Sequence, residues 1–331
     1  MNLGPIDLVY CWCDQNDPAF ARLKEETAAR CGVKLDAASA DLGDCRYVSN
    51  DELRYSLRSV ANGGLDFIRQ IHLVIADCQT PPPWLRLDHP QLRVVRHSAF
   101  LPAEAMPCFN PTCLEFHLPD LPGLSERFLY ANDDMFVTAP LGPDFFFAPD
   151  GLPYFRYLDS TVDLEAPGTD SSYILKIARS YRLVRDAFGR VGEFAKAIGH
   201  LPHHNVDAYV KSDLRAFAAR FSAELAETLR RPFRSDDQLH RTGWAAYALA
   251  TGRGHYRRSR RPWYATLFGG CHRESWYVSL GKKDLLRAFR RIKPKLLCVN
   301  DNAAATDADR KSIRTFLARL FPEPSSFEIR P

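Results

Sequence analysis

The chain has 331 residues, 46% of them hydrophobic and 25% charged, with a formal net charge of +4. Such a length and apolar content suit one elaborated α/β domain or two joined ones, and so mild a charge gives no argument for nucleic-acid binding. No run of eighteen apolar residues predicts a membrane span. The first apolar stretch lacks a basic flank and is interrupted by Asp7, so no secretory signal is expected. The nine cysteines contain no Cys-x-x-Cys pair, which argues against structural zinc and for reduced thiols in a cytoplasmic compartment.

In chain order, residues 6–12 read as a buried strand ending in the turn-rich Asp14-Gln15-Asn16-Asp17-Pro18. Residues 19–31 read as a helix and 35–44 as a loop. Asn50 is placed as the N-cap of a second helix, with Asp51 and Glu52 in the first turn suiting the helix dipole. Leu53, Leu57 and Val60 share one face of that helix, and Arg54 and Arg58 form a neighbouring stripe in which Arg54 can pair with Asp51 or Glu52. Strands follow at 71–76 and 92–95, separated by the Pro-rich Thr80-Pro81-Pro82-Pro83-Trp84. A helix at 112–118 and a strand at 128–130 complete an alternation that predicts an α/β fold with a parallel or mixed sheet.

Near residue 140 the pattern changes. Phe145-Phe146-Phe147 and Tyr154-Phe155-Arg156-Tyr157 mark an aromatic-rich extension. Segments 171–188, 210–229 and 235–251 read as helices, the last capped by Ser235 with Gln238 completing a capping box. The basic run 257–261 and Gly269-Gly270 read as loops, 283–291 as a short helix, 296–299 as a late strand and 306–320 as a terminal helix.

Polar clusters stand at the ends of these elements. Phe128-Leu129-Tyr130 and Met135-Phe136-Val137 flank Asn132-Asp133-Asp134, so two adjacent carboxylates sit at a strand end. That arrangement suits a hard divalent cation, or a plain acidic turn. Asp14, Asn16 and Asp17 follow the first strand, Asn50 to Arg54 start a helix, and Asn300-Asp301 follow the late strand. Ligands of open α/β sheets bind beyond the carboxyl ends of the strands, and three of these clusters meet there if their strands are parallel neighbours. The segment 199–207 (GHLPHHNVD) offers His200, His203 and His204 as general bases or as an ordinary hydrogen-bonded loop. Arg234 can clamp a phosphate. Asp7 either approaches a nucleotide or anchors its own loop.

Four blocks in order resemble the Stealth family of sugar-1-phosphate transferases: IDLVYCWCDQNDP (6–18), RYVSNDELRYSLRSV through LYANDDMFV (46–137), HLPHHNVD through RPFRSDD (200–237) and KPKLLCVNDN (293–302). Cys11 and Asp14-Gln15-Asn16 depart from the family pattern. The resemblance implies one catalytic domain over 1–331 with a GT-A-like, Rossmann-type mixed sheet flanked by helices. The nucleotide-binding core would span about 1–140 and 290–305, and a mostly helical region, about 150–285, would contribute the histidine loop. The implied reaction moves hexose-1-phosphate, an N-acetylhexosamine-1-phosphate in the first instance, from a UDP-sugar such as UDP-GlcNAc to a glycan hydroxyl. It forms a phosphodiester and releases UMP in capsule or surface polysaccharide synthesis. Mg²⁺ or Mn²⁺ would sit at Asp133, Asp134, Asn300 and Asp301. Arg54 and Arg234 would meet phosphate, His203 would be the base, and Asp51 would belong to the catalytic set. Asp7, Asn50 and Asn132 would lie near the donor, and Glu115 and His117 near sugar or acceptor. The expected location is cytoplasmic, and the basic run 257–261 is a solvated face or, through its charge, a contact for a polyanionic acceptor or the inner membrane face. A metal-dependent glycosyltransferase releasing UDP and a silent glycan- or nucleotide-binding module are the alternatives.

Overall fold

The computed structural model describes residues 3–36, 42–47, 49–168, 171–259, 273–281 and 285–329. Its elements are β1 (Ile6–Cys11), α1 (Pro18–Arg30), α2 (Glu52–Ala61), β2 (Ile68–Ile75), β3 (Leu92–Arg96), α3 (Pro111–His117), β4 (Arg127–Asn132), β5 (Met135–Val137) and β6 (Tyr154–Thr161). There follow α4 (Ser172–Phe188), α5 (Phe194–Ala197), β7 (His200–Pro202), β8 (Asp207–Val210), α6 (Lys211–Arg220), α7 (Ser222–Arg230) and α8 (Thr242–Ala250). The last are β9 (His255–Arg258), β10 (Ser275–Ser279), α9 (Leu285–Ile292), β11 (Leu296–Asn300) and α10 (Asp307–Leu320). This is the expected mixed α/β arrangement. The main sheet runs β3–β2–β1–β4 in parallel, with β8 antiparallel at its edge. Val9, Leu73, Val74, Ile75 and Leu129 have no exposed surface, which is why these strands read as unbroken apolar runs.

Two smaller sheets, β10–β11–β5 and β7–β6–β9, flank the main one. Only Asp133 and Asp134 separate β4 from β5, yet β5 leaves the main sheet and pairs antiparallel with β11. The late strand is therefore not a parallel neighbour of β1 and β4, as convergence of the clusters had required. It runs against β5, so its carboxyl end arrives where β5 begins, at the acidic turn. The region beyond residue 150 shares its core with the sheet. Val9, Phe128 and Tyr130 lie in one apolar cluster with Tyr209, Phe217 and Trp244, and Phe116 meets Trp244 edge-on at 5.0 Å.

Local expectations failed where side chains found competing partners. The helix expected at 210–229 breaks at Phe221 into α6 and α7, because Phe221 turns in to pack on Phe217 and Tyr247. Ser235 caps no helix; α8 starts at Thr242. The Gln238 side chain does accept from Ser235 N at 3.2 Å, but its amide also donates to Phe233 O, and Arg231 ties down Ser235 and Asp237, closing a turn instead. Arg257 and Arg258 belong to β9 rather than a loop and pair with Glu274 (3.2 Å) and Asp159 (2.6 Å). That pairing removes much of their value as a free basic patch. The rest of the run, 260–261, lies outside the described residues, as do Gly269, Gly270 and Cys271. The other eight cysteines are free thiols. No helix among the described residues is long and apolar enough to cross a membrane.

Two buried carboxylates hold the frame. Asp7, with no exposed surface, accepts from Arg69 Nε (2.8 Å) and Nη2 (2.6 Å), Ser125 N (2.8 Å) and His72 Nε2 (3.1 Å). Burial opposes its ionisation, but these donors hold its carboxyl far below the ordinary range. Glu328, near the C-terminus, accepts from Arg54 Nε (2.6 Å), Arg58 Nε (2.7 Å) and Ser325 N (2.8 Å). Against its own desolvation these hold it at about 2. Replacing Asp7 strands several donors in a dry environment. Asp7→Ala is therefore expected to lower the unfolding free energy by about 3 kcal/mol, read by urea denaturation at pH 7. A loss below about 1 kcal/mol would show that Asp7 is not the anchor described.

Candidate active site

The main sheet reverses its order at β1. The chain steps outward through β2 and β3, then returns to lay β4 on the other side of β1. Crevices at such reversals, beyond the carboxyl ends of the strands, are where α/β sheets bind ligands. Here the crevice lies between the loop after β1 and the turn after β4, with Cys11 in register with Asn132. Tyr130 donates its hydroxyl to Asn132 Oδ1 at 3.0 Å and orients it.

Asp133 and Asp134 form the turn itself. Val299 N donates to Asp134 O at 3.0 Å, and the Cys298 thiol donates to Asp134 Oδ2 at 3.4 Å. The start of α2 closes the other side. Asn50 is not its N-cap; the cap position falls to Asp51, in the left-handed region at φ 67° and without a capping hydrogen bond. Asn50 is instead a buried junction, donating through Nδ2 to Glu52 Oε1 (3.0 Å) and Asp301 Oδ2 (3.3 Å) and accepting from Arg314 Nη1 (3.1 Å). Asn300 accepts from Arg46 Nη1 at 3.1 Å. Asp301 is gripped by Arg310 through Nε (2.8 Å) and Nη2 (3.2 Å).

The carboxylates here fall into two groups. Asp301 already has a cation. For Glu52, Asp133 and Asp134 no ion pair is formed among the described residues. Burial raises Glu52 to about 7, with Asp134 adding repulsion. Burial, then the charges of Glu52 and Asp134, push Asp133 well above the carboxylate range. Burial lifts Asp134 to about 6, and its buried Oδ1 has no hydrogen-bond partner among the described residues. No set of three or more His, Cys, Asp or Glu side chains among the described residues stands ready-made to hold a metal. The donor chemistry nevertheless fits a hard divalent cation: oxygen atoms only, crowded carboxylates, and one buried oxygen left bare.

The histidine loop reaches the same place through the sheet. β8 pairs antiparallel with β4, and Asp207 is the register partner of Tyr130, two residues, roughly 7 Å, short of Asn132. His203, 2% exposed, meets Asp207 Oδ1 through Nε2 at 2.7 Å. Its buried Nδ1 has no hydrogen-bond partner among the described residues. Despite burial, His203 and Arg241 hold the Asp207 carboxyl below its ordinary value. Arg241 Nε lies 3.6 Å from Asp207 Oδ2, and its Nη1 donates to Glu115 Oε1 at 2.8 Å. The Arg241 guanidinium stands 5.3 Å from the centre of the Tyr130 ring. A buried polar chain thus runs from His203 through Asp207 and Arg241 to Tyr130 and Asn132. Desolvation, with Arg241 adding repulsion, pushes the neighbouring His204 down to about 3 and keeps it neutral. His200 is engaged with Leu158 O at 3.1 Å.

Other candidates are placed apart. Arg54 pairs with neither Asp51 nor Glu52; it is committed to Glu328 and lies over the Trp84 ring. Asp7 sits four residues back along β1, about 13 Å from the strand's end. Arg234 has no hydrogen bond or ion pair among the described residues, and its charge is felt at Cys13, beside Asp133. Glu52, Asp207 and Arg241 were not singled out from the sequence. Glu52 passed as a first-turn acid. Asp207, four residues after His203, was the one readable signal. Arg241 has no sequence signal, because its partners come from α3 and β8.

The second conserved region of Stealth proteins matches residues 46–155 and the fourth matches residues 287–331. An exopolysaccharide phosphotransferase of Streptomyces coelicolor is 34% identical over 98% of this chain and 51% of its own length. The exopolysaccharide phosphotransferase CpsY of Mycobacterium tuberculosis is 35% identical over 98% of this chain and 58% of its own. The capsular polysaccharide phosphotransferase SacB of Neisseria meningitidis serogroup A is 30% identical over 98% and 57%. The chain therefore spans between half and three-fifths of the length of these relatives. Among solved structures, galactosyltransferase LgtC in complex with donor and acceptor sugar analogs is similar at 13% identity and a TM-score of 0.45, over 98% of this chain and 97% of that one. With two conserved regions in order and similarity running along 98% of its residues, the chain belongs to the Stealth family.

Proposed function

We propose that this chain transfers hexose-1-phosphate, an N-acetylhexosamine-1-phosphate in the first instance, from a UDP-sugar to a glycan hydroxyl in surface polysaccharide synthesis. The observation that carries the reading is the pairing of Tyr130 with Asp207, which sets a buried histidine–carboxylate pair beside an acidic turn. The phosphotransferase names of its relatives support the reaction class.

In this reading Nε2 of His203 stays with Asp207 and Nδ1 takes the proton from the acceptor hydroxyl. The acceptor oxygen attacks the phosphorus nearest the sugar. The bond from that phosphorus to the bridging oxygen breaks, and UMP departs. Arg234, which makes no hydrogen bond or ion pair among the described residues, meets the phosphoryl oxygens. Mg²⁺ or Mn²⁺ at Asp133 and Asp134, with Glu52 alongside, would neutralise the pyrophosphate. Asp301 and Asn300, already taken by Arg310 and Arg46, shape that site from behind.

Incubation with UDP-GlcNAc, a glycan acceptor and Mg²⁺ should release UMP. UDP in its place would convert the reading to ordinary glycosyl transfer. His203→Ala should lower kcat by about 10²–10⁴-fold. Asp207→Asn should lower kcat with little change in donor KM, because Nε2 of His203 loses the carboxylate that fixes its ring and tautomer. A raised donor KM with kcat unchanged would remove Asp207 from the proton path.

The raised carboxyls make a separate prediction. A group whose value is raised by folding favours the protonated form, so its contribution to stability is complete below the ordinary carboxylate range. That contribution is lost as pH rises through about 6 and 7, the values of Asp134 and Glu52. Mg²⁺ should therefore raise Tm clearly at pH 8 and little at pH 5, by about 2–4 °C for each kcal/mol of linked binding. An equal shift in Asp134→Asn would place the cation elsewhere.

A further inference from the structure

Beside the acidic turn, beyond the ends of β1 and β2, lies a cavity of about 400 Å³, in the size range of small-molecule pockets. Trp12 and Trp84 line it, with Pro81, Pro82 and Pro83 between them in the fold. The Trp84 side is braced from outside. Ile329 N donates to Trp84 O at 2.8 Å, Leu85 bridges to Glu328, and Arg54 lies 5.5 Å from the centre of the Trp84 ring. Much of the polar lining is internally satisfied. Gln79 Oε1 accepts from Asp14 N (2.9 Å), and Asp17 Oδ2 accepts from Thr80 N (2.7 Å).

Asp51 differs from these. It lines the cavity and is exposed, its backbone is in the left-handed region, and its carboxylate neither caps α2 nor makes a hydrogen bond or ion pair among the described residues. Strained, unsatisfied residues of this kind cluster at ligand sites. The buried indole N–H of Trp12 likewise has no acceptor among the described residues. Trp12 also directly follows Cys11, the register partner of Asn132, so the cavity opens next to the crevice assigned above to phosphate.

We propose that this cavity receives the nucleoside of the donor, its base against the indole and proline walls and its ribose diol donating to Asp51. Flat aromatic walls suit a nucleobase, and a bare carboxylate suits two adjacent hydroxyls while repelling phosphate. The proposal rests on the UDP-sugar reading and adds the place and the contacts. It moves Asp51 from catalysis to donor recognition.

The test is calorimetric titration of the full chain with UMP and with 2′-deoxy-UMP, beside Trp84→Ala, Asp51→Ala and His203→Ala, each checked for an unchanged circular-dichroism spectrum. Trp84→Ala should weaken UMP binding at least tenfold. Asp51→Ala should bind both ligands alike, where the parent prefers UMP. His203→Ala should bind UMP as the parent does. UMP binding unchanged in both Trp84→Ala and Asp51→Ala would overturn the proposal and leave the transferase reading standing. A parent chain that binds no UMP and releases none from UDP-GlcNAc would end both.

Discussion

The pairing of β4 on both of its edges is the constraint on which the rest of the molecule depends. On one side it pairs in parallel with β1, setting Asn132 against Cys11; on the other it pairs antiparallel with β8, setting Tyr130 against Asp207. One buried strand thereby fixes the crevice floor, the acidic turn and the histidine loop relative to one another through backbone hydrogen bonds. The side chains then complete the link, with Arg241 bridging Asp207 to Glu115 and lying over Tyr130. Breaking such a chain at one member leaves an uncompensated buried charge, which costs several kcal/mol. Register and charge thus enforce the same geometry.

The acidic centre is divided between carboxylates that are neutralised within the fold and carboxylates that are not. Arg310 grips Asp301, and Arg314 reaches Asn50 from the same helix. Glu52, Asp133 and Asp134 are desolvated and make no ion pair among the described residues. Three desolvated carboxyls close together favour either bound protons or a bound cation. The arginines fix where the second strand end and the start of α2 stand, and the unpaired carboxyls are what remains for a ligand.

Local patterns in the chain carried much of this. The main strands were legible because buried parallel strands are continuous apolar runs, and α10 because Thr306 and Asp309 form a true capping box. Asn132-Asp133-Asp134 stood out as polar residues at the end of such a run, and His203 through the resemblance of its block to the Stealth pattern. What stayed hidden depends on distant partners. Ser235 with Gln238 had the letters of a capping box, but Arg231 and Phe233 drew the segment into a turn. Arg54, expected at phosphate or paired with Asp51 or Glu52, is instead held by Glu328 from near the far end of the sequence. The convergence of Asn300-Asp301 on the acidic turn was expected for the wrong reason, since it needs an antiparallel strand in another sheet. Arg241 carried no local mark, because its meaning comes from two elements more than thirty residues away.

The two-residue link between β4 and β5 has a consequence for how this chain can vary. Asp133 and Asp134 are the whole passage from one sheet to another, with pairing on both sides immediately beyond them. An inserted or deleted residue there would slip β5 against β11 and exchange its inward and outward faces, or unpair β4 from β1. Length is therefore as constrained at this point as chemistry is. The spacing from Tyr130 to Met135 should tolerate neither gain nor loss.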